Sequence, residues 1–182
     1  MKTEQKIKMI DLTVIPLFAA ITAVLSQISV PMPSGVPITL QTFAVALCGY
    51  FLGAKKGTAA VGVYILLGAV GVPVFSGLKG GFVCLLSVTG GFIWGFLALS
   101  ALCGISFRKK PIRIAFGLIG LAVLHLCGAL QYALLMEIDF VQSFLTVSAP
   151  YLVKDAVSVV LAFVLAETAR RATEKHMPAD LR

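Results

Sequence analysis

The longest run of uncharged residues lies near the start of the chain, where positions 12 to 54 contain no Asp, Glu, Lys or Arg. A helix that crosses a bilayer needs about 20 consecutive apolar residues, so this run is long enough for two. Between them, the segment 31–37 contains three prolines and a glycine, which interrupt a continuous helix. The pattern therefore predicts two membrane-spanning helices separated by a turn.

Apolar runs bounded by charged residues, or by glycine- and proline-rich stretches, continue to residue 169. They predict an all-α fold, a bundle of six transmembrane helices that forms a single transmembrane domain over residues 1–182. The last run begins at Ser148-Ala149-Pro150, and a serine followed by a proline is typical of a helix N-terminus. The predicted spans are approximately 12–30, 38–53, 57–74, 88–107, 114–135 and 149–169.

Lysine and arginine residues are distributed unevenly between the ends of these six spans. Thirteen of the fifteen lie before the first span or after the second, fourth and sixth spans, and the other two are Lys79 and Lys154. With six spans, all thirteen lie on the same side of the membrane, whereas five or seven spans would divide them. Because cytoplasmic loops carry the excess of Lys and Arg, we expect both termini in the cytoplasm.

Composition agrees with this assignment. Of the 182 residues, 59% are hydrophobic and 13% are charged, whereas an average soluble domain has about 45–50% apolar and about 25% charged residues. A soluble monomer and a disordered chain are therefore excluded. The net charge of +7 is concentrated beside the apolar runs, which is typical of a membrane surface and gives no indication of nucleic-acid binding. We expect a multi-pass protein of the cell membrane, in contact with lipid.

The uncommon polar residues of the spans converge on one side of the membrane. With the directions assigned above, they lie in the outer third of the bundle, and the cytoplasmic halves contain few polar groups. This arrangement predicts a binding pocket that faces the outside. The members of this outer polar layer are Gln27, Thr39, Gln41, Ser87, Thr89, Gln131, Tyr132, Ser148, Tyr151, Lys154 and Asp155.

Asp155 is the most informative member of the outer polar layer. It lies five residues after Pro150, about 7–8 Å into the last span at 1.5 Å per residue. An unpaired charge at this depth is costly, so the side chain is expected to face a cavity or a partner. The alternative to a ligand is an ion pair with Lys154 or Lys79. Adjacent residues on a helix point about 100° apart, which disfavours the pair with Lys154.

Two outer loops, residues 34–41 and 76–91, are glycine-rich in part and almost uncharged. Irregular backbone at membrane depth is tolerated where it is buried in protein or lines a cavity, so these loops could cover a pocket; the alternative is a pair of surface connections. We expect Gly90 and Gly91, at the end of the second loop, to contribute to a binding site. Pro37 suits a helix start at Ile38, whose free N–H groups would attract an anion.

No catalytic motif is present: there is no Walker A sequence, no HExxH, no Gly-x-Ser-x-Gly and no close pair of carboxylates within the spans. We therefore expect neither an enzyme nor a cofactor or metal site.

His125 shares one face of the fifth span with Gly128, Gln131 and Tyr132. The spacing leaves open whether His125 has a packing role or a functional one.

Five segments of the chain resemble the BioY family, the biotin-binding S components of energy-coupling factor (ECF) vitamin transporters. The resemblance covers about residues 12–170. Its most specific parts are Pro-Ile-Thr-Leu-Gln at 37–41 and Leu-Gly-Ala-x-Gly-x-Pro-Val-Phe at 67–75. The five segments are residues 17–23, 36–42, 64–75, 89–92 and 150–155.

The resemblance implies a six-helix membrane protein that captures biotin from outside the cell. It implies as partners a transmembrane T component and two ATP-binding-cassette ATPases, which would hydrolyse the ATP. Ala19 and Ala23 match a small-residue step on the first helix that docks the T component. Asp155 matches an aspartate linked to biotin binding. Where many members carry a lysine three residues later, this chain has Ser158.

Biotin suggests a role for each candidate. An ionised Asp155 can accept a ureido N–H, and Gln41 or Thr39 could donate to the ureido carbonyl. Lys79 or Lys154 could neutralise the carboxylate tail.

Two alternative functions stay open: an S component for another vitamin, such as riboflavin or thiamine, and a carrier of small solutes that acts alone. The second would favour a polar path through the cytoplasmic halves, and the sequence shows none.

Overall fold

The computed structural model describes the backbone of residues 2–176 and the side chains of residues 12–172. Within this part, the chain is almost entirely helical, with one two-stranded antiparallel ribbon near its start. In chain order the elements are α1 (Lys2–Ser26), β1 (Ser29–Val30), β2 (Ile38–Thr39), α2 (Gln41–Leu52), α3 (Ala54–Ala69), α4 (Val83–Leu86), α5 (Gly90–Cys103), α6 (Lys110–Met136), α7 (Phe140–Val147) and α8 (Ala149–His176).

Each of the six predicted spans overlaps one of the longer helices: α1, α2, α3, α5, α6 and α8. Within the described residues, α6 and the Ala149–Ala172 part of α8 are long and apolar enough to cross a membrane. Shorter apolar helices are formed by Leu12–Ser26 of α1, by α2 and by α5. The all-helical class is therefore confirmed, while the six crossings and the cytoplasmic termini stay predictions. Lys2, Lys6, Lys8, Lys175 and Arg182 lie outside the described side chains.

The connection between α1 and α2 differs from the prediction. The first helix ends at Ser26 rather than at residue 30, and the chain then forms β1 and β2, in which Ser29 pairs with Thr39 and Val30 with Ile38. The expectation of a helix start and an anion site at Ile38 is wrong. The proline-rich segment reverses the chain, and the returning backbone pairs its N–H and C=O groups in the ribbon, so α2 begins only at Gln41.

The third predicted span also has different limits. Gly53, with a positive φ of 82°, is the only residue between α2 and α3, so Lys55 and Lys56 lie in the first turn of α3. This helix ends at Ala69, five residues before the predicted limit. The following residues, 70–82, form a loop in which Phe75 and Lys79 pair across a tight turn.

The helices define two ends of the bundle. One end is formed by the C-terminal ends of α1, α3 and α6 together with the N-terminal ends of α2, α5 and α8, and we call it the cavity end. We call the other one the closed end. Glycines allow close packing there: a Cβ at Gly49 of α2 would lie 2.3 Å from the carbonyl oxygen of Ser100 in α5. Arg170 of α8 donates to the carbonyl oxygen of Phe51.

Candidate ligand-binding site

A cavity of about 300 Å³ opens between the helices at the cavity end. Its mouth is formed by exposed residues of two loops, Gly35 and Lys79, and by Val83 at the start of α4. Its deeper part lies among buried side chains of α5 and α6, including Phe96 and Leu124. The volume is at the lower limit of ordinary small-molecule sites, and an apolar wall with a few polar groups is typical of them.

Asp155 lies in the deep part of the cavity and is 4% exposed. Its Oδ1 pairs with Nζ of Lys154, and its Oδ2 lies 3.4 Å from Nε2 of His125. Both expectations for this carboxylate are therefore met at once, since it has a basic partner and also borders a cavity. A charged group in this position has the partner that its burial requires.

The argument that helical geometry disfavours the pair between Lys154 and Asp155 is wrong. The Cβ atoms of adjacent residues do point apart, but the four-carbon stem of the lysine brings the ammonium group back to the neighbouring carboxylate. The same Nζ donates to the backbone carbonyl oxygen of Thr39 at 2.8 Å. Lys154 therefore connects the start of α8 to β2 as well as pairing with the acid.

Thr39 and Gln41 form a second polar group on the cavity wall. Both side chains are buried, and the Thr39 hydroxyl donates to Oε1 of Gln41 at 3.2 Å. Nε2 of Gln41 donates to the hydroxyl of Tyr64 at 2.6 Å. Tyr64 is fully buried in α3, so it fixes the orientation of the amide, leaving Gln41 rigid.

The remaining members of the outer polar layer hold the loops around the cavity. Gln27, the residue after α1, accepts from the backbone N–H of Leu78 at 2.9 Å and donates to the carbonyl oxygens of Val74 and Phe75. These bonds satisfy backbone groups in the 70–82 loop, which carries Lys79. The polar layer thus stabilises irregular backbone that has no helical partners of its own.

Tyrosines hold the loop between β1 and β2 in the same way. The Tyr151 hydroxyl donates to the carbonyl oxygen of Val36 at 2.6 Å, and the Tyr132 hydroxyl donates to that of Ser34 at 3.2 Å. On the opposite side of the cavity, Nε2 of Gln131 donates to the carbonyl oxygen of Ser87 at 2.8 Å. The two outer loops are therefore attached to α6 and α8 and cover the cavity.

The structure brings five of the seven predicted ligand residues to the cavity: Thr39, Gln41, Lys79, Lys154 and Asp155. It does not bring Gly90 and Gly91 there.

These two glycines pack helices together. A Cβ at Gly90 would lie 2.0 Å from the carbonyl oxygen of Leu85, and one at Gly91 would lie 2.3 Å from that of Cys127. Their small size therefore permits contact between α5 and the neighbouring backbone.

The structure also places Ala19 and Ala23, the small-residue step predicted to dock the T component, differently from the expectation. Ala19 is 1% exposed and belongs to the buried core, so it does not lie on an outer surface. Ala23 is partly buried against the same core. Because the helix turns 100° per residue, the outer face falls instead on residues such as Ala20 and Val24, which with Ile21 and Leu25 line a shallow apolar groove.

Sequence reasoning left several cavity residues without an assigned role. Thr42 and His125 line the deep part, and Tyr151 and Ser87 lie nearer the loops. Trp94, in contrast, is 46% exposed and is not part of the cavity wall. The signal for Tyr151 and Ser87 was their membership of the outer polar layer. For His125 it was the face of α6 that it shares with Gln131 and Tyr132.

The amino-acid sequence matches the model of the BioY family over residues 1–175. A probable biotin transporter BioY from Pyrococcus horikoshii is 37% identical over 157 residues, which cover 86% of this chain and 94% of the relative. The biotin transporter BioY of Thermotoga maritima is 36% identical over 154 residues, covering 82% of this chain and 89% of the relative.

The fold matches a crystal structure at 2.1 Å of the S component for biotin from an ECF-type ABC transporter. The TM-score is 0.83 with 25% sequence identity, and the superposed residues cover 94% of this chain and 95% of that one. The match therefore extends over nearly the whole chain.

Proposed function

The chain belongs to the BioY family, and we propose that it is the biotin-binding S component of an ECF transporter. The family is one of transporter components and not of enzymes. The observation that carries the proposal is a cavity of about 300 Å³ that has apolar walls and one buried carboxylate, Asp155, at its deep end. Such a cavity suits a small, largely apolar molecule with hydrogen-bond donors at one end.

Biotin has this chemistry. Its ureido group has two N–H donors and one carbonyl acceptor, its fused ring carries an apolar thioether, and its tail ends in a carboxylate. We place the ureido ring in the deep part of the cavity, where Asp155 accepts one N–H in a charge-assisted hydrogen bond. The rings then lie against Phe92 and Phe96, which line the wall.

The two lysines receive different roles in this arrangement. Lys154 is already occupied by Asp155 and by the carbonyl oxygen of Thr39. Lys79 is exposed at the mouth of the cavity. We therefore assign the biotin carboxylate to Lys79 and the positioning of Asp155 to Lys154. The ureido carbonyl is left for the amide of Gln41, because the single hydroxyl proton of Thr39 is donated to Oε1 of that amide.

We propose that partners supply the energy for transport, because the matching crystal structure is a component of an ECF-type ABC transporter. We propose that the chain crosses the cell membrane six times with both termini in the cytoplasm and the cavity facing outside. A T component and two ATP-binding-cassette ATPases would supply the energy. We place the T component on the outer face of α1, over the groove lined by Ala20, Ile21, Val24 and Leu25.

Titration of the purified chain with biotin, riboflavin and thiamine tests this function. We expect biotin to bind and the other two to bind at least a hundredfold more weakly. Asp155→Asn should weaken biotin binding at least tenfold, about 1.4 kcal/mol, because the charged acceptor is lost from a desolvated site. Glu167→Gln makes the same chemical change in α8 at the closed end, and its affinity should match that of the unmodified chain.

Two results would contradict the proposal. Tighter binding of riboflavin or thiamine than of biotin would assign the chain to another vitamin. Biotin affinity that is unchanged by Asp155→Asn would remove this carboxylate from the site.

A further inference from the structure

His125 is a buried polar side chain that the proposed function leaves without a role. It lies in α6, is 1% exposed and lines the cavity. Its Nε2 is 3.4 Å from Oδ2 of Asp155, and neither ring nitrogen has a well-aligned hydrogen bond among the described residues. The edge of the ring packs against Phe92, with the centroids 5.9 Å apart.

Packing alone does not account for an imidazole at this position. A buried polar group without a hydrogen bond costs about 1–3 kcal/mol, and a leucine of similar size would fill the same space without that cost. The side chain of His125 also holds no loop, in contrast to Gln27, Gln131 and Tyr132. The one charged group within reach of its ring among the described residues is the carboxylate of Asp155.

The carboxylate of Asp155 lies between two basic groups. Lys154 is at Oδ1 and His125 is at Oδ2, and these partners come from α8 and α6 respectively. The Thr42 side chain is a third partner of the carboxylate. An ionised carboxylate has about four acceptor sites on its two oxygens, so these partners still leave room for a ligand donor. The direction in which the free site points depends on the rotation of the carboxylate plane, which donors on both oxygens fix.

We infer that His125 is a positioning residue for biotin: its Nε2–H donates to Oδ2 of Asp155 and orients the carboxylate to accept the ureido N–H. The inference rests on the proposed function. An imidazole that carries a proton on Nε2 supplies this donor. Long contacts in a free site often shorten when the ligand binds, which fits the 3.4 Å separation.

Three substitutions of His125 separate positioning from packing. The amide nitrogen of Gln reaches the position of Nε2, so His125→Gln should keep biotin affinity within about threefold of the unmodified chain. His125→Leu keeps the volume but removes the donor, and His125→Asn places its amide nearer the position of Nδ1. Both should weaken binding at least tenfold. Leu130→Ala, an exposed position on the same helix, should leave affinity unchanged.

A double-mutant cycle with Asp155→Asn tests whether His125 influences biotin affinity through the carboxylate of Asp155. Because His125 acts through the carboxylate, His125→Leu should change the affinity of the Asp155→Asn chain less than twofold. Equal losses in both backgrounds would overturn the inference, as would His125→Leu binding biotin as tightly as the unmodified chain. Both results leave the proposed function intact, whereas an unmodified chain that does not bind biotin refutes the function itself.

Nitrogen-15 NMR of the unmodified chain with labelled histidine gives a measurement that needs no substitution. We expect the buried imidazole to carry its proton on Nε2 in the presence of biotin. A ring that carries its proton on Nδ1 and none on Nε2 would overturn the inference even if the variants failed to fold.

Discussion

Each end of the bundle contains a carboxylate that is held by basic side chains of the described chain, Glu167 at the closed end and Asp155 at the cavity end. Glu167 lies 3.3 Å from Lys110, 3.2 Å from Arg113 and 3.5 Å from Arg171. Its partners, like those of Asp155, come from α6 and α8. Ion pairing therefore does not distinguish the two carboxylates.

The surroundings of the two carboxylates do distinguish them. Asp155 borders a cavity of about 300 Å³ that is covered by loops. Around Glu167 the helices are close-packed: a Cβ at Gly117 of α6 would lie 1.9 Å from the hydroxyl of Tyr50, which itself donates to the carbonyl oxygen of Arg113. The comparison shows that an acid paired with basic side chains indicates a ligand site only when space adjoins it; otherwise it connects helices.

Packing at the closed end should give the largest effect on stability. Gly49→Ala would place a methyl group 2.3 Å from the carbonyl oxygen of Ser100, so α2 and α5 must separate. We expect the free energy of unfolding in detergent to fall by about 3 kcal/mol. Gly62→Ala is the matched control, because a Cβ there meets nothing within 4 Å, and alanine favours the helix by about 1 kcal/mol. Similar results for the two variants would show that the closed end is not close-packed.

The positions of the helices were predictable because apolar runs and charged boundaries record where each one lies. The ribbon of β1 and β2 was not, because two residues per strand give no periodic pattern and the pairing depends on how the chain returns. Asp155 could be found from its depth alone. Its partner His125 could not, because the two residues are 30 positions apart and meet only after α6 packs beside α8.

Small residues illustrate a further limit. Gly90, Gly91 and Ala19 occur in segments that resemble functional motifs, but all three contact backbone or core of this chain. A sequence pattern records that a side chain must be small and does not record what lies against it. The structure supplies that information for Gly90, where the neighbour is the carbonyl oxygen of Leu85.

Replacing a carboxylate by its amide should change a different property at each end of the bundle: biotin affinity at Asp155 and the free energy of unfolding at Glu167. Glu167→Gln leaves Lys110, Arg113 and Arg171 without their shared negative charge, and we expect the free energy of unfolding to fall by about 1–2 kcal/mol. The side chain is 24% exposed, so the loss is smaller than for a fully buried pair. Denaturant unfolding and biotin titration of the same sample measure both quantities. A loss of biotin affinity in this variant would mean that the two ends are coupled.

The smallest expected effect concerns the mouth of the cavity. Lys79 is exposed, and an exposed ion pair contributes about 0.2–1 kcal/mol. Lys79→Met should therefore weaken biotin binding about threefold, and high salt should reduce the difference from the unmodified chain because exposed charges are screened. Lys110→Met removes a basic partner of Glu167 at the closed end and serves as the control; its biotin affinity should not change.

An analogue of biotin with a hydroxyl group in place of the carboxylate identifies which end of the ligand Lys79 contacts. The unmodified chain should prefer biotin over this alcohol, and Lys79→Met should bind the two with nearly equal affinity, because the preference arises from one charge pair at the mouth. If Lys79→Met kept the full preference for biotin, the carboxylate would have to be neutralised by Lys154. The ligand would then reach Lys154 only by competing with Asp155 and the carbonyl oxygen of Thr39 for the same ammonium group. The two lysines would exchange roles, and the ureido ring would lie nearer the loops than the deep carboxylate.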